Sequence, residues 1–213
     1  MASHMRMTSL GCVILFGSAL LLAGLGSSFA EEPSEAQILN ALKSRDTRSL
    51  TPSSAEQRRI AEEHRFIEAL RGRSARSLTL GERETIAQIA SDKPSIDIEI
   101  NFEYNSDVVG PKALKPLLAL GRALSNDQLK GTVFFVSGHT DATGSAGYNQ
   151  DLSARRAEVV KRLLIEEFKL PADTLIAVGY GKTQLKDKAN PFAAENRRVQ
   201  IVNTEQRTTA NAK

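Results

Sequence analysis

The stretch GHTDATGSAGYNQDLSARRAEVV, residues 138–160, carries the sharpest chemical signal in the chain. It opens on His139 beside Asp141, runs through turn-forming residues and ends in a helical pattern with an arginine pair. At about 100° per residue, Leu152, Ala157, Val159, Val160, Leu163 and Leu164 share one arc of a helix expected over residues 146–168. Arg155 falls outside that arc, whereas Arg156 falls near its middle with Asn149 beside it. A guanidinium on a core-facing side is costly unless something anionic meets it. Two partners are open. One is Asp141, in an internal salt bridge; the other is a ligand carboxylate, which the planar arginine fork matches in shape. Asp141 lies in the loop ahead of the helix, a position that favours ligand sites and offers backbone N–H groups to anions. Together the pair could clamp a zwitterion, with Asp141 accepting from an ammonium and Arg156 holding a carboxylate.

The flanks set the fold class. IDIEINF, 96–102, alternates with Ile96, Ile98, Ile100 and Phe102 on one face, the pattern of a half-buried strand. Residues 111–125 bring leucines at helical spacing, and TVFFVSG, 132–138, suits a buried central strand. TLIAVGYG, 174–181, and RRVQIVN, 197–203, read as two more strands. The order strand, helix, strand, helix, strand, strand predicts an α+β sandwich of about a hundred residues. SDKPS, 91–95, marks its upstream boundary. Before it, residues 34–90 read as polar helices: Ser34 precedes EAQILNALKSR, and Pro52 opens a second segment with a thin stripe of Ile60, Ile67 and Leu70 around Ala61 and His64. RSLT occurs at 48–51 and again at 76–79, too few copies for a solenoid. These helices are expected to dock on the main domain or on a partner.

GHTDATG followed by NQDLSARRAEVVKRLL resembles the long spaced motif of OmpA-like peptidoglycan-binding domains. The matching positions are Thr140, Asp141, Gly144, Asn149, Leu152, Ser153, Arg156, Ala157, Val160 and Leu164. FEYNS at 102–106, the VGYGKTQ strand end and ENRRVQI at 195–201 fall where that family places such segments. The resemblance covers roughly residues 96–204 and leaves 31–95 outside. It implies a β-α-β-α-β-β sandwich with helices on a mixed sheet, and a non-catalytic module that grips the diaminopimelate of a peptidoglycan stem peptide. It implies Asp141 and Arg156 as principal contacts, Thr140, Asn149 and Arg197 as secondary ones, and Asn105 as a further contact. No cofactor is implied.

Residues 1–30 read as an expression-vector remnant followed by a secretory signal: Arg6, an apolar run from Leu10 to Leu25, and small residues at Ser28 and Ala30. An uncleaved membrane anchor is the alternative, and the run is short for a span. The flagellar-stator variant of the family needs an acidic residue in its membrane segment, and none occurs between Leu10 and Ala30. Cys12, the single cysteine, lies in this leader, so the mature chain is expected to lack disulfides despite export. A periplasmic, wall-associated location follows, with the outer membrane as one placement. Residues 205–213 are expected to form a tail. The net charge of +3 and the absence of Trp argue against a nucleic-acid partner. A hydrolase triad of Ser153, His139 and Asp141 is disfavoured because Ser153 sits inside a helix instead of on a sharp elbow. A zinc site is disfavoured because the mature chain has two His and no Cys. The expected partners are peptidoglycan and a second envelope protein bound through residues 34–90; the oligomeric state is open.

Overall fold

The computed structural model describes residues 32–43, 53–100, 102 and 106–205. The leader, Pro52, the first RSLT copy, Asn105 and residues 206–213 lie outside these. Among the described residues the chain runs through α1 (Glu35–Leu42), α2 (Ser54–Leu70), α3 (Leu80–Ala90), β1 (Ser95–Ile98), α4 (Leu114–Leu124), β2 (Phe134–His139), α5 (Ala146–Phe168), β3 (Leu175–Gly181) and β4 (Val199–Asn203). The α+β class and the order expected downstream of residue 95 are both observed. The sheet is mixed, in the order β1-β4-β2-β3. β2 and β3 are parallel, and α5 makes the crossover that such a pair requires; β4 runs antiparallel to both β2 and β1.

The first strand is shorter than its alternation predicts. β4 begins at Val199, which pairs with Ile98, so β1 has no partner strand beyond that point. Phe102 makes only an isolated bridge with Val109. The face assignment still holds, because Ile96, Ile98, Ile100 and Phe102 all pack into one core.

Both faces of the sheet are covered. On one, Phe134, Val136, Val199 and Ile201 meet Ile38 and Leu42 of α1, Leu117 and Leu120 of α4, and Val160 and Leu164 of α5. On the other, Phe135, Ile176, Val178 and Val202 meet Ile67 and Leu70 of α2 and Ile86 of α3. Helices from residues 34–90 therefore dock on both faces of the sheet. Ser34 caps α1 through a reciprocal capping box with Gln37, and Thr79, the end of the second RSLT, caps α3 in the same way with Glu82. Ser53 is the N-cap of α2, so the helix starts after Pro52 and not on it. In α2, Ile67 and Leu70 are buried as expected while Ala61 and His64 are exposed; the stripe turns instead toward Glu63 and Phe66. Glu63 meets Lys93 at 2.5 Å, and their side chains keep only 12% and 4% of their exposure.

α5 lies very close to β2. A Cβ on Gly138 would sit 2.3 Å from the Ser153 carbonyl oxygen, so only glycine permits this approach. The contact line runs through small residues, with Ser153, Ala154 and Ala157 all buried. This rotates the buried face away from the arc that hydrophobicity alone selects. Val159, Leu163 and Arg156 come to its edge, half-buried. Arg156 is thus at the border of the core and not in its middle.

Candidate functional site

Ser145 caps α5 by accepting from the Tyr148 N–H, which fixes where the 140–145 loop enters the helix. Four further hydrogen bonds hold that loop. Thr140 N donates to Gly181 O at 2.9 Å, Ala142 N to Pro191 O at 2.9 Å, Asn149 Nδ2 to Thr143 O at 2.8 Å and Lys182 Nζ to Gly144 O at 2.8 Å. Two of the expected contact residues, Thr140 and Asn149, are thereby 3% and 2% exposed; here they shape the loop.

Asp141 does not meet Arg156. Its Oδ2 accepts from Arg197 Nη1 at 2.8 Å and its Oδ1 from Thr143 N at 3.0 Å. Burial pushes the Asp141 carboxyl up, but the Arg197 and Thr143 donors outweigh it and hold it below its usual range. Arg156 is positioned by other groups. Its Nε donates to Ser106 O at 3.0 Å, and its guanidinium lies over the Phe102 ring, 4.7 Å from the centroid. Among the described residues no carboxylate comes within 4.0 Å of it. Burial lowers its pKa from the usual value, and Arg197 adds to that against the opposing pull of Tyr148, Asp107 and Asp141. Arg155 instead pairs with Asp151 and with Asp107, the latter at 3.6 Å. Of the two adjacent arginines, only Arg155 has a carboxylate partner among the described residues.

The residues of the disfavoured triad are spread apart in role. Ser153 is fully buried, donates to Gln150 O and accepts from Gly181 N at 2.8 Å, tying α5 to the end of β3. The His139 ring stacks on Tyr180 with centroids 5.3 Å apart, and neither ring nitrogen makes a well-formed hydrogen bond. Burial, reinforced by Arg198 and opposed by Asp97 and the Gln184 backbone, holds its pKa down to about 3. Its backbone N–H donates to Arg198 O, continuing the β2–β4 ladder.

Phe102, Ser106 and Lys182 do work in this site that sequence reading did not assign. Phe102 was legible as an inward strand residue, but nothing in one dimension pairs its ring with a helix fifty residues on.

The loop, the glycine approach and the positioned arginine all fall within one continuous segment. Residues 101–198 match the OmpA family. The chain carries an OmpA-like domain. Outer membrane porin F of Pseudomonas fluorescens is 35% identical over 107 residues, which are 49% of this chain and 32% of that protein. The peptidoglycan-associated lipoprotein of Pseudomonas aeruginosa is 34% identical over 102 residues, 47% of this chain and 58% of that protein. Among solved structures, the cell wall anchor of the T6SS from Pseudomonas aeruginosa overlays with a TM-score of 0.42 at 27% identity, covering 63% of this chain and 99% of that one. The chain spans about a third of the length of the first curated relatives it matches. The OmpA match lies wholly downstream of α1, α2 and α3. Among the described residues no helix is long and apolar enough to cross a membrane.

Proposed function

We propose that this protein is an exported envelope protein that binds peptidoglycan non-covalently and does no chemistry on it. Residues 96–204 are the wall-binding domain; residues 31–95 are a helical region that covers its sheet and faces other envelope components. The bound group is the zwitterionic amino-acid centre of a diaminopimelate stem peptide. One observation carries the reading: a half-buried arginine, oriented by Phe102 and Ser106, has no carboxylate partner among the described residues. An ordered, desolvated guanidinium without an anion is a poor structural element and a good carboxylate receptor. Asp141, ionised in the adjoining loop, supplies the acceptor for the ammonium. The peptidoglycan-associated name of one relative supports the same ligand class.

Co-sedimentation with purified diaminopimelate-type sacculi tests this. Wild type pellets with the wall. Arg156→Ala stays folded and loses binding by roughly 2–5 kcal/mol, the range for removing one side of a desolvated charge pair. Asp141→Ala loses less, because Asp141 is shared with Arg197. Equal pelleting of Arg156→Ala and wild type refutes the clamp.

A further inference from the structure

The two halves of the clamp are not equally available. Arg156 has no carboxylate among the described residues, whereas both oxygens of Asp141 already accept hydrogen bonds. The donor on Oδ2 is a cation, and its side chain is 48% exposed while that of Asp141 is 14% exposed. A guanidinium so placed already takes one of the acceptor positions that Asp141 can offer to an ammonium of a ligand. We propose that Arg197 is a stand-in for the ligand's ammonium, a residue that sets selectivity by competing for Asp141, and not a contact that adds affinity. This rests on the wall-peptide reading above and sharpens it.

The physical consequence is an asymmetry. In the free protein Asp141 is neutralised by Arg197, so the site presents the net positive charge of Arg156 and receives a carboxylate without breaking any bond. An ammonium that takes the place Arg197 holds on Oδ2 must first turn that side chain out toward solvent. With its arginine half exposed, such a pair is worth little, so the step is easy, but it cancels most of what the ammonium gains. The free protein therefore distinguishes poorly between ligands with and without the amine. Without Arg197, the partly buried Asp141 carboxylate keeps only the Thr143 N–H, and an ammonium becomes its main source of charge compensation.

Chemical-shift titration of the full chain with two probes reads this directly: meso-diaminopimelate, and pimelate, the same dicarboxylate without amines. Wild type binds the two within about threefold of each other, as expected when the exchange of ion pairs is nearly balanced. In Arg197→Gln, pimelate weakens, because the uncompensated Asp141 carboxylate now repels it, while diaminopimelate is held or tightens, widening the ratio about fivefold, the scale of an exposed ion pair. Arg197→Lys, which keeps the charge, stays near wild type. If Arg197→Gln weakens both probes, Arg197 is a direct contact and the stand-in role is wrong. If it leaves the ratio unmoved, Arg197 does not compete, and the role is wrong again. Arg156→Gln separates this from the underlying reading: should it leave binding of both probes intact, the carboxylate site itself lies elsewhere and both proposals fall.

Discussion

At the scale of single residues, the site is defined by who reaches whom. Asp141 and Arg156 were legible from residue type and spacing, one in a strand-to-helix loop and the other on the wrong side of an amphipathic helix. Their partners were not legible, because Arg197 and Phe102 approach from the far ends of the domain sequence and only the fold brings them in. The Arg197–Asp141 contact has a pH signature. The folded-state pKa of Asp141 lies below its unfolded value of about 3.9, so its contribution to stability is complete above that value and is lost as pH falls through the lowered one. Asp141→Asn is therefore less stable than wild type at neutral pH, and the gap in urea midpoint closes once the pH has fallen below the lowered pKa. A gap that persists at that pH would show that packing, and not the ionised carboxylate, accounts for the difference.

At the scale of elements, local signals were strong where they concern the backbone. The ends of α5 at 146 and 168 agree with the expected helix, set by the Ser145 cap and a left-handed Lys169. The orientation of that helix was read less well. A helical wheel weights leucines and valines, but close packing against a sheet is decided by the residues that allow approach. Ser153 and Ala154 win the contact line because Gly138 and Gly179 oppose them, and Arg156 moves to the rim as a result. Gly138→Ala should cost at least about 1–3 kcal/mol, the usual range for overpacking, since the obstacle is backbone and cannot swing aside. Thermal or urea unfolding measures this. A loss of under half a kilocalorie would mean that α5 slides easily on the sheet.

At the scale of the molecule, α1 closes one face of the sheet while α2 and α3 close the other. Periodicity showed that residues 34–90 were helical; it could not show which faces they cover, since a thin apolar stripe fits a partner as well as a sheet. The Glu63–Lys93 pair links α2 to the turn before β1 in nearly dry surroundings. Glu63→Gln strands a buried ammonium and should cost about 3 kcal/mol, whereas Glu63→Leu with Lys93→Met should remain near wild type. Urea unfolding of the three proteins checks both statements, and a double variant as weak as the single one would show that the pair stabilises the docking.

The sequence by itself determined the class of fold, the order of its elements, the likeness of residues 96–204 to OmpA-like domains and the two charges at the centre of the candidate site. Each of these is written in local periodicity, capping and spacing, which a chain expresses before it folds. Only the tertiary structure decided that Asp141 pairs with Arg197, that Phe102 and Ser106 orient Arg156, and that the early helices close both faces of the sheet. Those are choices between equally charged or equally apolar alternatives far apart in sequence. They are settled by distance, which residue order alone does not contain.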